Sequence, residues 1–115
     1  MNVLVVDDEP GMRETLVDIL VHSGFEADAV PDGEAALLRL ADRSYDVVVM
    51  DMRMPGRDGV EVLRVMGGPP PPVILMTAYA SDERLKEGAD LAFAVVHKPF
   101  SAPDMVDLVN RAQAS

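Results

Sequence analysis

Five polar residues in this chain stand behind short apolar runs, and their types suit one kind of chemistry. Asp7 and Asp8 follow the run at residues 3–6, Asp51 follows 46–50, Thr77 follows 73–76, and Lys98 comes after 92–96. If one crevice gathers the three carboxylates, they repel each other. At about 4 Å each pair costs on the order of 4 kcal/mol at an effective dielectric near 20. Lys98 offsets one charge at most. The remaining negative charge invites a hard divalent cation with oxygen ligands, for which Mg2+ (or Mn2+) is the best fit. Such a cation lets a phosphoryl group approach. Thr77 can donate a hydrogen bond to its oxygens and Lys98 can offer a charge. One of the carboxylates then serves as nucleophile, giving an acyl phosphate. Each residue alone has a plainer reading: Asp7-Asp8 as a solvated turn, Asp51 as a strand end, Thr77 as a cap, Lys98 as a surface lysine. Only their common placement favours a site.

That placement depends on the elements around them. The runs at 3–6, 46–50 and 73–76 are continuously apolar or β-branched, as strands covered on both faces are; 27–30 and 92–96 are weaker examples. Helical patterns separate them. Met12, Leu16, Ile19 and Leu20 share one helix face, with Gly24 as the stop. Residues 35–41 form a second helix capped by Asp32, and 60–66 a third that starts near Gly59 with Asp58 as its cap. Ser81 is expected to cap a fourth helix, with Asp82 and Glu83 in its first turn and Gly88 closing it. Ser101 caps a fifth, ahead of Met105, Leu108, Val109 and Ala112. Residues 67–72, Gly-Gly followed by four prolines, read as a stiff surface connection. The alternation implies an α/β fold: a parallel sheet with helices on both faces and right-handed crossovers. In such sheets ligands bind at the carboxyl ends of the strands, where the five residues fall.

Composition narrows the classes. A chain of 115 residues is one domain, here 1–115, with an ordinary globular share of apolar residues. No cysteine is present, so disulfides, thiolate metal sites and cysteine nucleophiles are excluded, and a cytoplasmic location fits. A net charge of −10 argues against nucleic-acid or anionic-lipid binding and favours cations and basic protein surfaces. The N-terminal apolar run is too short to cross a membrane and reads as a buried strand. The two histidines, His22 near a helix end and His97 beside Lys98, are too few for a metal cluster. The eight methionines read as core and loop filler.

Taken in order, Val3-Leu4-Val5-Val6-Asp7-Asp8-Glu9, the segment 47–59 around Asp51, Leu75-Met76-Thr77-Ala78 and Lys98-Pro99-Phe100 resemble the receiver domain of bacterial two-component response regulators. The resemblance covers essentially the whole chain. It implies the flavodoxin-like (βα)5 sandwich with strand order 2-1-3-4-5, the order also found in a chemotaxis member of the family. It further implies that Asp51 is the phosphoacceptor, that Asp8 is a direct Mg2+ ligand with Asp7 acting through water, and that the backbone carbonyl of Arg53 is another ligand. Thr77 would follow the phosphoryl group, Lys98 would bridge phosphate and carboxylate, and Lys98-Pro99 would be cis. Arg53 and Tyr79 would flank the phosphoryl group and tune water access. The implied partners are a sensor histidine kinase or phosphotransfer protein and a downstream effector domain or protein. A homodimer through helix 4, strand 5 and helix 5 is one arrangement the resemblance allows. The implied role is a phosphorylation-dependent switch, not an enzyme acting on other substrates.

One position departs from the resemblance. The family often carries an aromatic residue three places before the lysine, and here that place holds Val95; Phe93 lies two residues earlier and shares its strand face by alternation. Val95 is the feature that favours an alternative, a degenerate interaction module on the same fold working without phosphorylation. An aspartate-nucleophile phosphohydrolase is a further alternative. It needs a second aspartate two residues after the nucleophile, where this chain has Arg53.

Overall fold

The computed structural model describes residues 1–79 and 81–115. Strands and helices alternate throughout: β1 (Asn2–Val6), α1 (Pro10–His22), β2 (Glu26–Val30), α2 (Gly33–Asp42), β3 (Val47–Asp51), α3 (Gly59–Val65), β4 (Val73–Thr77), α4 (Leu85–Leu91), β5 (Ala94–His97) and α5 (Ala102–Ala114). All neighbouring strands run parallel, in the order β2-β1-β3-β4-β5. This is the flavodoxin-like order that the resemblance implies.

The three central strands are apolar on both faces, and alternation sorts their side chains. Val3, Val5, Val47, Val49, Ile74 and Met76 point to one side and meet Leu16 and Leu20 of α1 with Met105 and Val109 of α5. Leu4, Val6, Val48, Met50 and Leu75 point to the other and meet Ala36 of α2 and Val62 of α3. Two helices therefore cover one face, and the others lie on the opposite one. The outer strands β2 and β5 are only partly buried, in keeping with their weaker apolar patterns.

Local chemistry fixes the helix starts. Asp32 accepts the Ala35 amide at 2.8 Å, Asp58 the Glu61 amide at 2.9 Å, and Ser101 the Asp104 amide at 3.2 Å. Each satisfies a donor that the first turn leaves without an intrahelical partner. Asp32→Ala is expected to cost about 1 kcal/mol, read as a lowered midpoint in urea denaturation at unchanged slope. At the far end of α1, Gly24 takes a φ of +93°, left-handed backbone that a side chain would strain.

The fourth helix and fifth strand differ from the sequence expectation. Ser81 does not cap a helix: α4 begins only at Leu85, with Arg84 at its N-cap, and Asp82 and Glu83 precede it. Gly88 does not close α4. It lies inside the helix, where a Cβ would come within 2.8 Å of Leu75 Cδ1 and 3.1 Å of Met52 Cε. The pattern misread a close helix–sheet approach as a stop, because glycine serves both purposes. Strand β5 spans Ala94–His97, not 92–96, so Phe93 precedes it; its amide bonds the Val73 carbonyl at 2.8 Å while its ring is 41% exposed. Val95 instead packs inward, against the core on the α2–α3 side. Strand β3 likewise starts at Val47; Asp46 stays outside and accepts the Asn2 amide at 2.8 Å.

Candidate functional site

The five polar residues converge at the carboxyl edge of the sheet. Asp7 follows β1, whose central position between β2 and β3 buries it completely. Its Oδ1 accepts the Glu9 amide at 2.9 Å, folding the chain back toward α1. Its backbone carbonyl accepts from Arg13 at 2.8 Å, so the turn is held from both ends. Asp8 beside it is exposed. Asp51 is the last residue of β3, and its Oδ1 receives the Arg53 amide at 3.3 Å. One carboxylate oxygen from each of Asp7, Asp8 and Asp51 lies within 4.8 Å of the others.

Lys98 enters from directly behind β5. Its amide bonds the Thr77 carbonyl at 2.7 Å and its peptide bond to Pro99 is cis. Its Nζ donates to Asp51 Oδ2 at 2.9 Å and to Asp7 Oδ2 at 3.2 Å. One ammonium thus faces three carboxylates. Burial pushes the Asp51 carboxyl above its ordinary value; the bond and charge of Lys98 oppose this without cancelling it, and Asp7 adds repulsion. Burial pulls Lys98 down, but Asp51 and then Asp7 outweigh it and hold the ammonium above the ordinary lysine value.

Thr77 ends β4 and is almost fully buried. Its hydroxyl donates to the Tyr79 carbonyl at 3.1 Å and accepts the Tyr79 amide at 3.2 Å. The hydroxyl is therefore engaged with its own loop, and the Tyr79 side chain faces solvent. Of the two histidines, His22 pairs through Nδ1 with the Asp18 carbonyl at 2.8 Å, and His97 is exposed at the end of β5. Neither joins the cluster.

The donor set fits a hard divalent cation. Three carboxylates converge against one ammonium, the ligands are all oxygen, and Asp8 leaves one side open to water. The same arrangement puts a partly buried carboxylate against an ammonium at the strand ends, where Thr77 also lies, groups of the kind that can receive a phosphoryl group.

Five residues beside this cluster were not singled out by sequence reasoning as a group. Arg53 forms a two-pronged ion pair with Asp82, and Arg84 donates to Asp58 at 2.7 Å as well as to Glu87 at 3.2 and 3.1 Å. Asp58 is thus both the expected α3 cap and a buried ion-pair partner. The bond from Arg53 holds the Asp82 carboxyl below its ordinary value against partial burial. No periodicity marks Arg53–Asp82 or Arg84–Asp58, because their members are 29 and 26 residues apart and meet only in three dimensions.

Comparison with known proteins gives a consistent result. Residues 3–110 match the model of the response regulator receiver domain. The chain is similar to regulatory protein AtoC of Escherichia coli K12, with 42% identity over 113 residues, 96% of this chain and 24% of that protein. It is similar to response regulator protein FleR of Pseudomonas aeruginosa, with 41% identity over 95% of this chain and 24% of the relative. It spans about a quarter of the length of these relatives. Among solved structures it is similar to the response regulator protein TrrA of Thermotoga maritima in complex with Mg2+ and BeF, with TM-score 0.87 and 33% identity, covering 96% of this chain and 97% of that one. It is also similar to NtrX of Brucella abortus, with TM-score 0.90 and 28% identity over 98% of this chain and 27% of that one. A sheet in this order, with its acidic edge, and these likenesses lead to one conclusion: the chain belongs to the receiver domains of bacterial two-component response regulators.

Proposed function

We propose that residues 1–115 form a single receiver unit in which Asp51 accepts a phosphoryl group and the domain switches its surface in response. The observation that carries this reading is the contact set of Asp51: buried enough to be shielded, held by Lys98 at 2.9 Å, and flanked by Asp7 and Asp8. A carboxylate oxygen of Asp51 attacks the phosphorus of a phosphohistidine or small acyl phosphate. The bond from phosphorus to the donor's nitrogen or oxygen breaks, its electron pair leaves with the donor, and the product is an acyl phosphate on Asp51. Lys98 neutralises charge on the incoming oxygens. Thr77, released from the Tyr79 carbonyl, donates a hydrogen bond from its hydroxyl to one of them. Asp8, Asp7, Asp51 and the Arg53 backbone carbonyl would hold Mg2+ or Mn2+, which supplies charge neutralisation to the transferring group when bound. The solved Mg2+ and BeF complex of a neighbour at 33% identity supports this assignment.

The partners that follow are a histidine kinase or phosphotransfer protein as donor, and an effector domain or protein as reader, with helix 4, strand 5 and helix 5 available for a homodimer. The domain acts as a regulator and not as an enzyme with its own substrate. A cytoplasmic setting agrees with the absence, among the described residues, of any helix long and apolar enough to cross a membrane. The test is intact mass after incubation with acetyl phosphate, with and without Mg2+. Uptake of one phosphoryl group that requires Mg2+ and maps to Asp51 is expected. A folded, Mg2+-binding protein that takes up none from acetyl phosphate or from a kinase would sink the reading.

A further inference from the structure

An ion-pair bridge spans the gap between the loop behind Asp51 and the approach to α4. Arg53 Nε and Nη2 donate to Asp82 Oδ2 and Oδ1 at 2.8 and 2.7 Å, the fork-to-fork geometry that makes arginine–carboxylate pairs strong. The two partners differ in exposure: the Arg53 side chain is half exposed, whereas that of Asp82 is only 3% exposed. The Asp82 carboxylate also accepts the Arg84 amide at 2.9 Å, and its backbone carbonyl accepts the Leu85 amide at 3.1 Å. Asp82 is therefore the point from which the chain enters α4. Behind it, Arg84–Asp58 and Arg64–Glu87 continue the charge ladder between the α3 and α4 regions. Apolar anchoring is thinner at the far end, where Leu91 and Phe93 are both exposed.

We propose that the Arg53–Asp82 bridge is a latch: it holds the β4–α4 segment while Asp51 is unmodified, and a phosphoryl group on Asp51 draws the Arg53 guanidinium away and frees α4. This rests on the reading of Asp51 as phosphoacceptor. The Arg53 amide already lies 3.3 Å from Asp51 Oδ1, so the root of its side chain sits beside the new group. Phosphorylation adds about 1.5 to 2 negative charges and three strong acceptors, and a guanidinium binds phosphate in the same two-pronged way as carboxylate. Once Arg53 leaves, Asp82 keeps the Arg84 amide and the nearby Arg84 charge but loses the two-pronged contact that ties it to the loop behind Asp51. Without that tie the segment that carries Asp82 gains freedom to move away from the Asp51 loop. Because Asp82 carries the entry to α4, that movement carries the helix start with it. Two arrangements of one segment, each favoured by a different charge on Asp51, make a two-state element.

The test is amide hydrogen exchange over residues 85–91, first without any phosphoryl donor. Asp82→Asn keeps an acceptor for the Arg84 amide, and Arg53→Gln leaves Asp82 untouched, so one of the two should fold even if the other does not. Each is expected to exchange about three- to tenfold faster over 85–91, with β1 and β3 unchanged. The double variant should be no faster than either single one, because both remove the same bridge. In the wild-type protein, acetyl phosphate with Mg2+ should raise exchange over 85–91 to a similar degree. Unchanged donor-free exchange in both single variants, or additive effects in the double one, overturns the latch. Phosphoryl uptake by mass without a change over 85–91 overturns it too and leaves the phosphoacceptor reading standing. Lack of uptake overturns that reading, and the trigger with it, whatever the donor-free exchange shows.

Discussion

An Asp51→Asn protein is expected to take up no phosphoryl group from any donor and, in metal-free buffer at neutral pH, to be more stable than its parent. The first half follows because an amide is not a nucleophile toward phosphorus, and the neighbouring carboxylates are already committed: Asp7 is fully buried and bonded, and Asp8 is exposed, without the Lys98 contact. The second half is a matter of sign. Burial raises the Asp51 carboxyl above its ordinary value near 3.8, so folding disfavours its charge. For an acid shifted this way the folded state binds more protons than the unfolded one, and stability falls as pH rises from the unfolded value through the folded one. Asparagine removes that loss. It relieves repulsion with Asp7, and it keeps an acceptor for the Arg53 amide or for Lys98. The gain is the burial cost and the Asp7 repulsion less the Lys98 attraction, on the order of 1 kcal/mol. Urea unfolding across pH should show the variant ahead at neutral pH and the gap closing below about pH 4, where the parent's carboxyl is protonated in both states. A neutral-pH midpoint below the parent's would mean that the Lys98 attraction dominates.

Gly59→Ala is expected to destabilise the domain by about 2 kcal/mol and to slow phosphoryl uptake, although alanine is the better helix former. Intrinsic preference alone would favour the substitution by about 1 kcal/mol in a helix interior, and less at this first helical position. The geometry reverses the sign. A Cβ on Gly59 would stand 2.9 Å from the Asp51 carbonyl oxygen, 2.9 Å from Leu75 Cδ2 and 3.1 Å from Met52 Cα. Two of these are backbone atoms that cannot swing aside. Overpacking of this kind costs about 1 to 3 kcal/mol, and here the strain falls on the residue proposed as phosphoacceptor. The Gly59 amide also bonds the Met52 carbonyl at 2.8 Å, so pushing α3 outward breaks the closure of the loop between them. Denaturation gives the stability change, and the time course of intact mass gives the uptake rate. A stabilised variant with normal uptake would show that α3 moves freely against β3.

The parts of the molecule that could be read from the chain are those that repeat or stand alone. Continuous apolar runs flanked by helical periodicity give a parallel sheet, because only a strand covered on both faces can be apolar at every position. Asp7, Asp51, Thr77 and Lys98 were legible because each interrupts an apolar pattern at its end. Short-range caps such as Asp32, Asp58 and Ser101 were legible because the side chain and the amide it meets are three residues apart. What stayed hidden depends on contacts across the fold. Gly88 carries no mark that separates a helix stop from a close approach to Leu75. Asp82 sits where a first-turn acid is expected, yet its partner Arg53 is 29 residues away. The start of β5 was misplaced because Leu91, Ala92 and Phe93 continue the apolar run without belonging to the strand.

Asp7 and Lys98 are separated by 91 positions, and the first belongs to a central strand while the second follows the last strand of the sheet. Along the direction of synthesis, this spacing sets an order of assembly. During synthesis the N-terminal strands are made first. Asp7, Asp8 and Asp51 can therefore be brought together by β1 and β3 well before the segment that carries their ammonium exists. Through that interval the growing domain has a bare acidic mouth and, once β4 has formed, an open sheet edge beside it. The arrival of β5 pairs that edge and brings Lys98 to the mouth, so the strand that completes the sheet also delivers the site's one ammonium.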